Sequence, residues 1–201
     1  MSDIWTFLHD QGVVPREGSA TAAELEFLMD QAARPGVREI CEIGFNAGVS
    51  ADGFLRANSQ ANVTSFDIGE YPHVTLAKEF IDREFPGRHT LLLGDSTTTV
   101  PAFARDNPGF SFDLIFVDGG HEYEIVRQDL LNARSLSNER TVVVVDDLLP
   151  WLPYGVGPAC AWYEAVVTGL IQQETLASDG TVVEQIEPPA ERAWGVGRYA
   201  H

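Results

Sequence analysis

Two stretches of the chain run a short apolar segment straight into acid: LIFVDGGH carries Asp118 and His121, and TVVVVDD carries Asp146 and Asp147. Apolar runs of this length read as buried strands. In an open α/β sheet the carboxyl ends of the strands line the ligand crevice, so both segments bring their polar residues to one edge. Carboxylates gathered there are hard oxygen donors of the kind magnesium takes, with positions left over for substrate oxygens. A cation so held lowers the pKa of a bound hydroxyl and fixes its orientation. His121, with an ordinary pKa of about 6.5, is the residue type that takes up the released proton. Two adjacent acids at a crowded strand end also repel one another, and a cation relieves that. Plainer uses stand beside these: Asp118 and His121 can open the next helix, and Asp146-Asp147 can start a solvated loop.

The elements that position these residues follow from periodicity. VREICEIG, NVTSFDIG, HTLLLGDS, FDLIFVDGG and TVVVVDD read as five strands, with helix-compatible stretches between them such as VTLAKEFIDREFPG and HEYEIVRQDLLNARSL. This alternation implies an α/β protein with a mostly parallel sheet covered by helices on both faces. Residues 1–36 read as a helical cap, in which Thr21 and Glu24 have the form of a capping box. After Pro150, WLPYGVGP reads as a loop or lid and ACAWYEAVVTGLIQQE as a helix. TVVEQIEPP and RAWGVGRYA read as a C-terminal antiparallel hairpin, bringing the expected strands to seven. The whole, 1–201, is expected to be a single domain, with its core over 37–150 and a lid helix and closing strands over 151–201.

Composition narrows the partners. Thirteen basic against 30 acidic residues give a formal charge of -17, the wrong sign for tracking a phosphate backbone or an anionic membrane. No apolar run approaches the roughly 18 residues of a membrane span, and MSDIWTFLHD does not read as a signal peptide. A cytoplasmic protein is therefore expected, with neither nucleic acid nor membrane as partner. The two cysteines, Cys41 and Cys160, show no metal or disulfide spacing. His9, His73, His89 and His201 have no partner pattern.

The other strand ends supply a cofactor crevice. Glu42-Ile43-Gly44-Phe45-Asn46-Ala47-Gly48 ends the first strand in a glycine turn that lets backbone approach a ligand at a helix N-terminus. It is not GxGxxG, so a nicotinamide dinucleotide is poorly supported. Asp67, followed by Ile68, ends the second strand, where a carboxylate can accept from both ribose hydroxyls. Asp95 and Ser96 end the third, where they can meet a base or simply cap the next helix. Trp151, Tyr154, Trp162 and Tyr163 can wall an acceptor pocket or pack a lid.

EIGFNAG, FDIG, LLLGDS and LIFVDGGHEYE, in this order, resemble the class I S-adenosylmethionine (SAM)-dependent methyltransferases, over roughly residues 37–150. The FVDGGH and VVVVDD pair further resembles the metal-dependent O-methyltransferases, both the catechol type and, more closely, the macrolide-sugar type with its D-x-x-H motif. The resemblance implies a Rossmann-like fold and SAM contacts from Glu42, Gly44, Asn46, Gly48, Asp67, Ile68, Asp95, Ser96 and Asp118. It implies magnesium on Asp118, Asp146 and Asp147, and His121 as general base. The reaction implied is methyl transfer to a hydroxyl of a small acceptor, a sugar or phenolic secondary metabolite. Catechol-type enzymes carry Asp-Asn at the strand-five pair and a lysine near the base, so Asp146-Asp147 and His121 favour the sugar type. Family members often pair through N-terminal or lid elements, so a homodimer is an expectation. Two other readings stay open: metal-independent N- or C-methylation, and a SAM-binding domain without catalysis.

Overall fold

The computed structural model describes residues 3–13 and 20–201. Parts of the expected cap that fall on residues 1–2 and 14–19 lie outside the described residues. Two N-terminal helices, α1 (Ile4–Asp10) and α2 (Ala22–Ala32), precede five strand–helix alternations. These are β1 (Glu39–Ile43), α3 (Val49–Ala57), β2 (Asn62–Asp67), α4 (His73–Glu84), β3 (His89–Leu93), α5 (Ser96–Asp106), β4 (Leu114–Val117), α6 (Tyr123–Arg134) and β5 (Val142–Val145). The chain closes with α7 (Val156–Val167), β6 (Ile171–Ser178), β7 (Thr181–Val183) and β8 (Ala193–Tyr199). The expected capping box forms: Thr21 Oγ1 accepts from the Glu24 amide and the Glu24 carboxylate accepts from the Thr21 amide, both at 3.3 Å.

One sheet runs β3-β2-β1-β4-β5-β8-β6-β7. Strands β1 to β5 are parallel, and β8, β6 and β7 add antiparallel. The order reverses between β1 and β4, which places the crevice of this topology outside their carboxyl ends. Alternate residues of each buried strand serve opposite layers. Ile40, Phe116 and Val144 pack with α1–α4, whereas Cys41, Ile115, Val143 and Val145 pack with α5–α7. Cys41 is a buried free thiol and Cys160 an exposed one.

The C-terminal part differs from the sequence expectation. Helix α7 stops at Val167 with Gly169 in the left-handed region (φ 74), so Ile171 onward is strand rather than helix, and the sheet has eight strands instead of seven. The hairpin is β6–β7, not the two final segments, because Asp179 and Gly180 both take positive φ (48 and 82) as a two-residue primed turn requires. Strand β8 then returns between β5 and β6. That return sets Ala193 against the end of β5, where the Leu148 amide donates to its carbonyl at 2.8 Å. No helix among the described residues is long and apolar enough to cross a membrane.

The turn after β1 admits only glycine at one position. Gly44 has φ +102, and a Cβ there would lie 1.9 Å from the Asp118 carbonyl oxygen. This approach keeps the ends of β1 and β4 together. Gly44→Ala is expected to cost several kcal/mol, above the roughly 1–3 kcal/mol of backbone strain alone, because the clash is with backbone. Gly87→Ala, also at positive φ (+74) but with nothing within 4 Å, should cost only about 1–2 kcal/mol. Urea unfolding of the two variants checks the order.

Candidate active site

Strand parity decides where the acids point. Asp118 and Asp146 continue the alternation of Phe116 and Val144, so they emerge toward the layer that holds α2. Asp147 then takes a left-handed φ of 59, a conformation that costs a non-glycine residue of order 1–3 kcal/mol and clusters at functional sites. Its side chain thereby joins Asp118 and His121: donor atoms of these three lie within 4.8 Å of one another. Asp146 is not in that group. The space bounded by Asp118, His121, Asp146, Asp147 and neighbouring apolar residues is about 10 Å³, which is about one water-sized sphere.

Both Asp147 oxygens are engaged. Oδ2 lies 3.0 Å from His121 Nε2 and Oδ1 accepts from Arg192 at 2.8 Å. The His121 side chain is 43% exposed, whereas that of Asp147 is 5% exposed. The hydrogen bond to Asp147 raises the His121 pKa above its usual value, against the opposing effect of burial. With Nε2–H assigned to Asp147, Nδ1 is the nitrogen left to accept a proton. The Tyr154 ring lies 5.7 Å from the His121 ring. Of the other aromatics, Trp162 is buried and donates to Gln173, and Tyr163 is 70% exposed. Helix α7 seats directly on this loop, since a Cβ on Gly157 would lie 2.1 Å from the His121 carbonyl oxygen.

Two further charged residues enter the site that the sequence did not single out. Arg192, just before β8, approaches Asp147 and lies 3.9 Å from Asp146 Oδ2. Its backbone is held by Asp179, whose Oδ1 accepts from the amides of Glu191 and Arg192 at 3.0 and 2.9 Å. Glu24, visible in the sequence only as a capping residue, is 1% exposed and its carboxyl lies against that of Asp146. Burial, reinforced by the neighbouring carboxylates, pushes Asp118 and Asp146 well above the usual acid range, and burial raises Glu24 as well. Burial works against the Arg192 charge, but Asp146, Asp147, Glu24 and Asp118 together raise its pKa.

At the cofactor edge the residues divide. Gly44, Asn46 (φ 45) and Gly48 (φ 71) form the turn, and the Phe45 and Asn46 amides donate to Asp67 Oδ2 at 2.9 and 2.8 Å. Asp67 Oδ1 accepts from the Gly69 amide at 2.7 Å. Asp67 therefore clamps the turn as well as standing at the crevice. Ile68 (68% exposed) and Leu93 (59%) present apolar surface at the ends of β2 and β3. His73, which the sequence left without a role, bonds Asn46 Oδ1 through Nε2 at 2.6 Å and stacks on Tyr71. Asp95 is exposed and caps α5 through the Thr97 amide at 2.8 Å. Ser96 turns inward and acts on the buried Asp129 of α6.

Glu42 does not reach the crevice. It has no exposed surface and accepts from Ser50 and Ser65 behind the turn, the latter at 2.5 Å. Its position explains this, because parity aims it, like Ile40, into the α3 layer. Glu42, expected among the SAM contacts, is thus sealed behind the turn that Gly44, Asn46 and Gly48 form.

A methyltransferase-domain family model matches residues 41–148, more than half of the chain. Among solved structures, the O-methyltransferase TomG from Streptomyces achromogenes, of tomaymycin synthesis and in complex with SAM, has a TM-score of 0.73 at 19% identity, covering 98% of this chain and 88% of its own. An O-methyltransferase from Bacillus cereus in complex with SAH gives 0.74 at 17% identity, covering 95% and 87%. A TDP-rhamnose 3′-O-methyltransferase of calicheamicin biosynthesis gives 0.65 at 20%, covering 88% and 77%. These likenesses are likenesses of fold. No curated protein matches the sequence.

The buried Glu42 has a consequence for stability. Burial raises its pKa from 4.5 to about 7, although Ser50 and Ser65 favour the ionised form. Between these values the folded protein binds more protons than the unfolded chain, so this group's stabilisation is present at low pH and lost as pH rises through about 7. Glu42→Gln, which cannot ionise, should lack a pH-dependent contribution of order 3 kcal/mol that the parent shows between pH ~5 and ~8. Denaturant titrations of both proteins across that window measure the difference.

Proposed function

The chain belongs to the methyltransferase domain family, and from that premise we propose that it moves a methyl group from SAM to a hydroxyl of a small acceptor, assisted by a divalent cation and with His121 as base. The observation that carries this reading is the convergence of Asp118, His121 and Asp147 at the ends of β4 and β5. The donor set fits a hard cation: Asp118 and Asp147 offer carboxylate oxygens around a space about the size of one water, with Asp146 adjacent. When bound, the cation would act as a Lewis acid that lowers the pKa of the acceptor hydroxyl and orients it. The cofactor edge fits SAM: a glycine turn lets backbone approach, and Ile68 and Leu93 offer apolar surface for a flat base. SAM brings an electrophilic methyl group on its sulfonium.

The chain's own residues then do three things. Asp147, through Oδ2, holds the His121 ring and stabilises the imidazolium formed when Nδ1 takes the acceptor's proton. Arg192 neutralises part of the acidic pocket through Asp147 Oδ1. Tyr154, beside His121, offers one aromatic wall to the acceptor. The O-methyltransferase neighbours, a sugar-modifying one among them, support a hydroxyl acceptor on a sugar or phenolic secondary metabolite. A second reading draws on Arg192, whose guanidinium already sits 2.8 Å from Asp147: methyl transfer without metal, with Arg192 as the resident cation.

Incubation with SAM and a panel of hydroxylated acceptors, followed by mass spectrometry, should show a product heavier by one methylene. Activity should disappear with chelator and return with magnesium; indifference to chelator would move the reaction to the metal-free reading. His121→Ala should lower kcat by about 10²- to 10⁴-fold while SAM affinity, read by calorimetry, stays as in the parent. Absence of SAM binding would sink the proposal outright.

A further inference from the structure

Two oxygens beside the site are buried and meet no donor among the described residues, Glu24 Oε1 and Asp146 Oδ1, and the two carboxyls lie against one another, so that only a shared proton or a cation can satisfy the pair. The residues that bear them are 1% and 3% exposed, so solvent does not satisfy them. A buried carboxylate oxygen without a donor is costly, and Asp146, against which Glu24 lies, lines the acidic pocket with Asp118 and Asp147. Glu24 Oε2 is committed to the Thr21 amide in the first turn of α2, which leaves Oε1 as its spare donor. Arg192 does not meet the need of Asp146: its nearest approach is 3.9 Å, and to Oδ2 rather than Oδ1. Glu24 of α2, Asp118 after β4 and Asp146 and Asp147 after β5 thus gather around Arg192.

We propose that Glu24 belongs to the cation site, so that its Oε1 and Asp146 Oδ1 turn to the same hard divalent ion as Asp118 and Asp147 and tie the N-terminal helix α2 to the sheet. The inference rests on the reading of this pocket as a cation site and adds a donor from outside the strand-end motifs. Its structural consequence is that α2 is fastened over the crevice when the cation is bound. The Glu24 side chain spans the two roles without conflict, one oxygen capping its helix and the other serving the pocket.

Glu24→Gln tests this with the fold preserved, because glutamine also completes a capping box. Calorimetric titration of the full chain with Mn2+ should give saturable binding to the parent. The same titration should show about 10- to 100-fold weaker binding to Glu24→Gln, in the range found when a supporting carboxylate is removed from a metal site. Glu26→Gln, at an exposed position of the same helix, should bind as the parent does. Amide exchange over residues 22–32 should slow with Mn2+ in the parent and not in Glu24→Gln. Equal affinity in the parent and Glu24→Gln overturns the assignment of Glu24 and leaves the cation site standing. No Mn2+ binding to the parent overturns both.

Discussion

Repulsion among carboxylates in a poorly solvated pocket is the constraint on which the rest of this structure turns. Asp118, Asp146, Asp147 and Glu24 converge where the sheet order reverses, and burial, with charge repulsion from the neighbouring acids, raises the cost of ionising Asp118 and Asp146. Like charges this close are tolerated only when protons, cations or fixed positive groups intervene. The fold supplies one such group in Arg192, brought in by the return of β8 beside β5 and held by Asp179. Protons are a second answer, as the raised acid pKa values show. A divalent ion is a third, and it addresses the same atoms.

The backbone is arranged to bring this concentration about. Gly44 lets the β1 turn come against the Asp118 carbonyl, so the cofactor turn and the acidic loop share a wall. The left-handed Asp147 reverses the direction that strand parity would impose, so two consecutive acids serve different partners. Asp146 reaches the α2 layer, while Asp147 holds the His121 ring and the Arg192 guanidinium. Without that local strain the pair would point to opposite layers, and the His121 ring would lose its partner.

The parallel sheet, its crevice and the two acidic strand ends were legible because buried parallel strands leave strong apolar runs, and the glycine turn marks where the chain bends back. The end of α7 is hidden in the sequence, since Gln172, Gln173 and Glu174 suit a helix as well as a strand, and Gly169 is the stop signal. Asp179-Gly180 marks the hairpin, but the apolar, glycine-containing β8 competes with β7 as the partner strand in the sequence. For Glu42 the resemblance implies a cofactor contact, whereas its parity with Ile40 turns the side chain to the interior. Glu24 and Arg192 were hidden for a different reason. Each has an ordinary local reading, a capping acid and a lone arginine near a turn, and their meeting with Asp146 and Asp147 is made by tertiary contact alone.

Asp147 links the charge of the pocket to the proton chemistry of His121. A carboxylate has about four lone-pair positions, so the His121 and Arg192 contacts use only part of its capacity and a cation can share it. Any positive charge drawn closer to Asp147 weakens its hold on a proton at His121. The hydrogen bond to Asp147 raises the imidazole's pKa, with Glu122 adding to the shift and burial and Arg192 opposing it. A cation in the pocket, where the proposed reading places one, would therefore also act on a proton at His121, through the carboxylate that both would share.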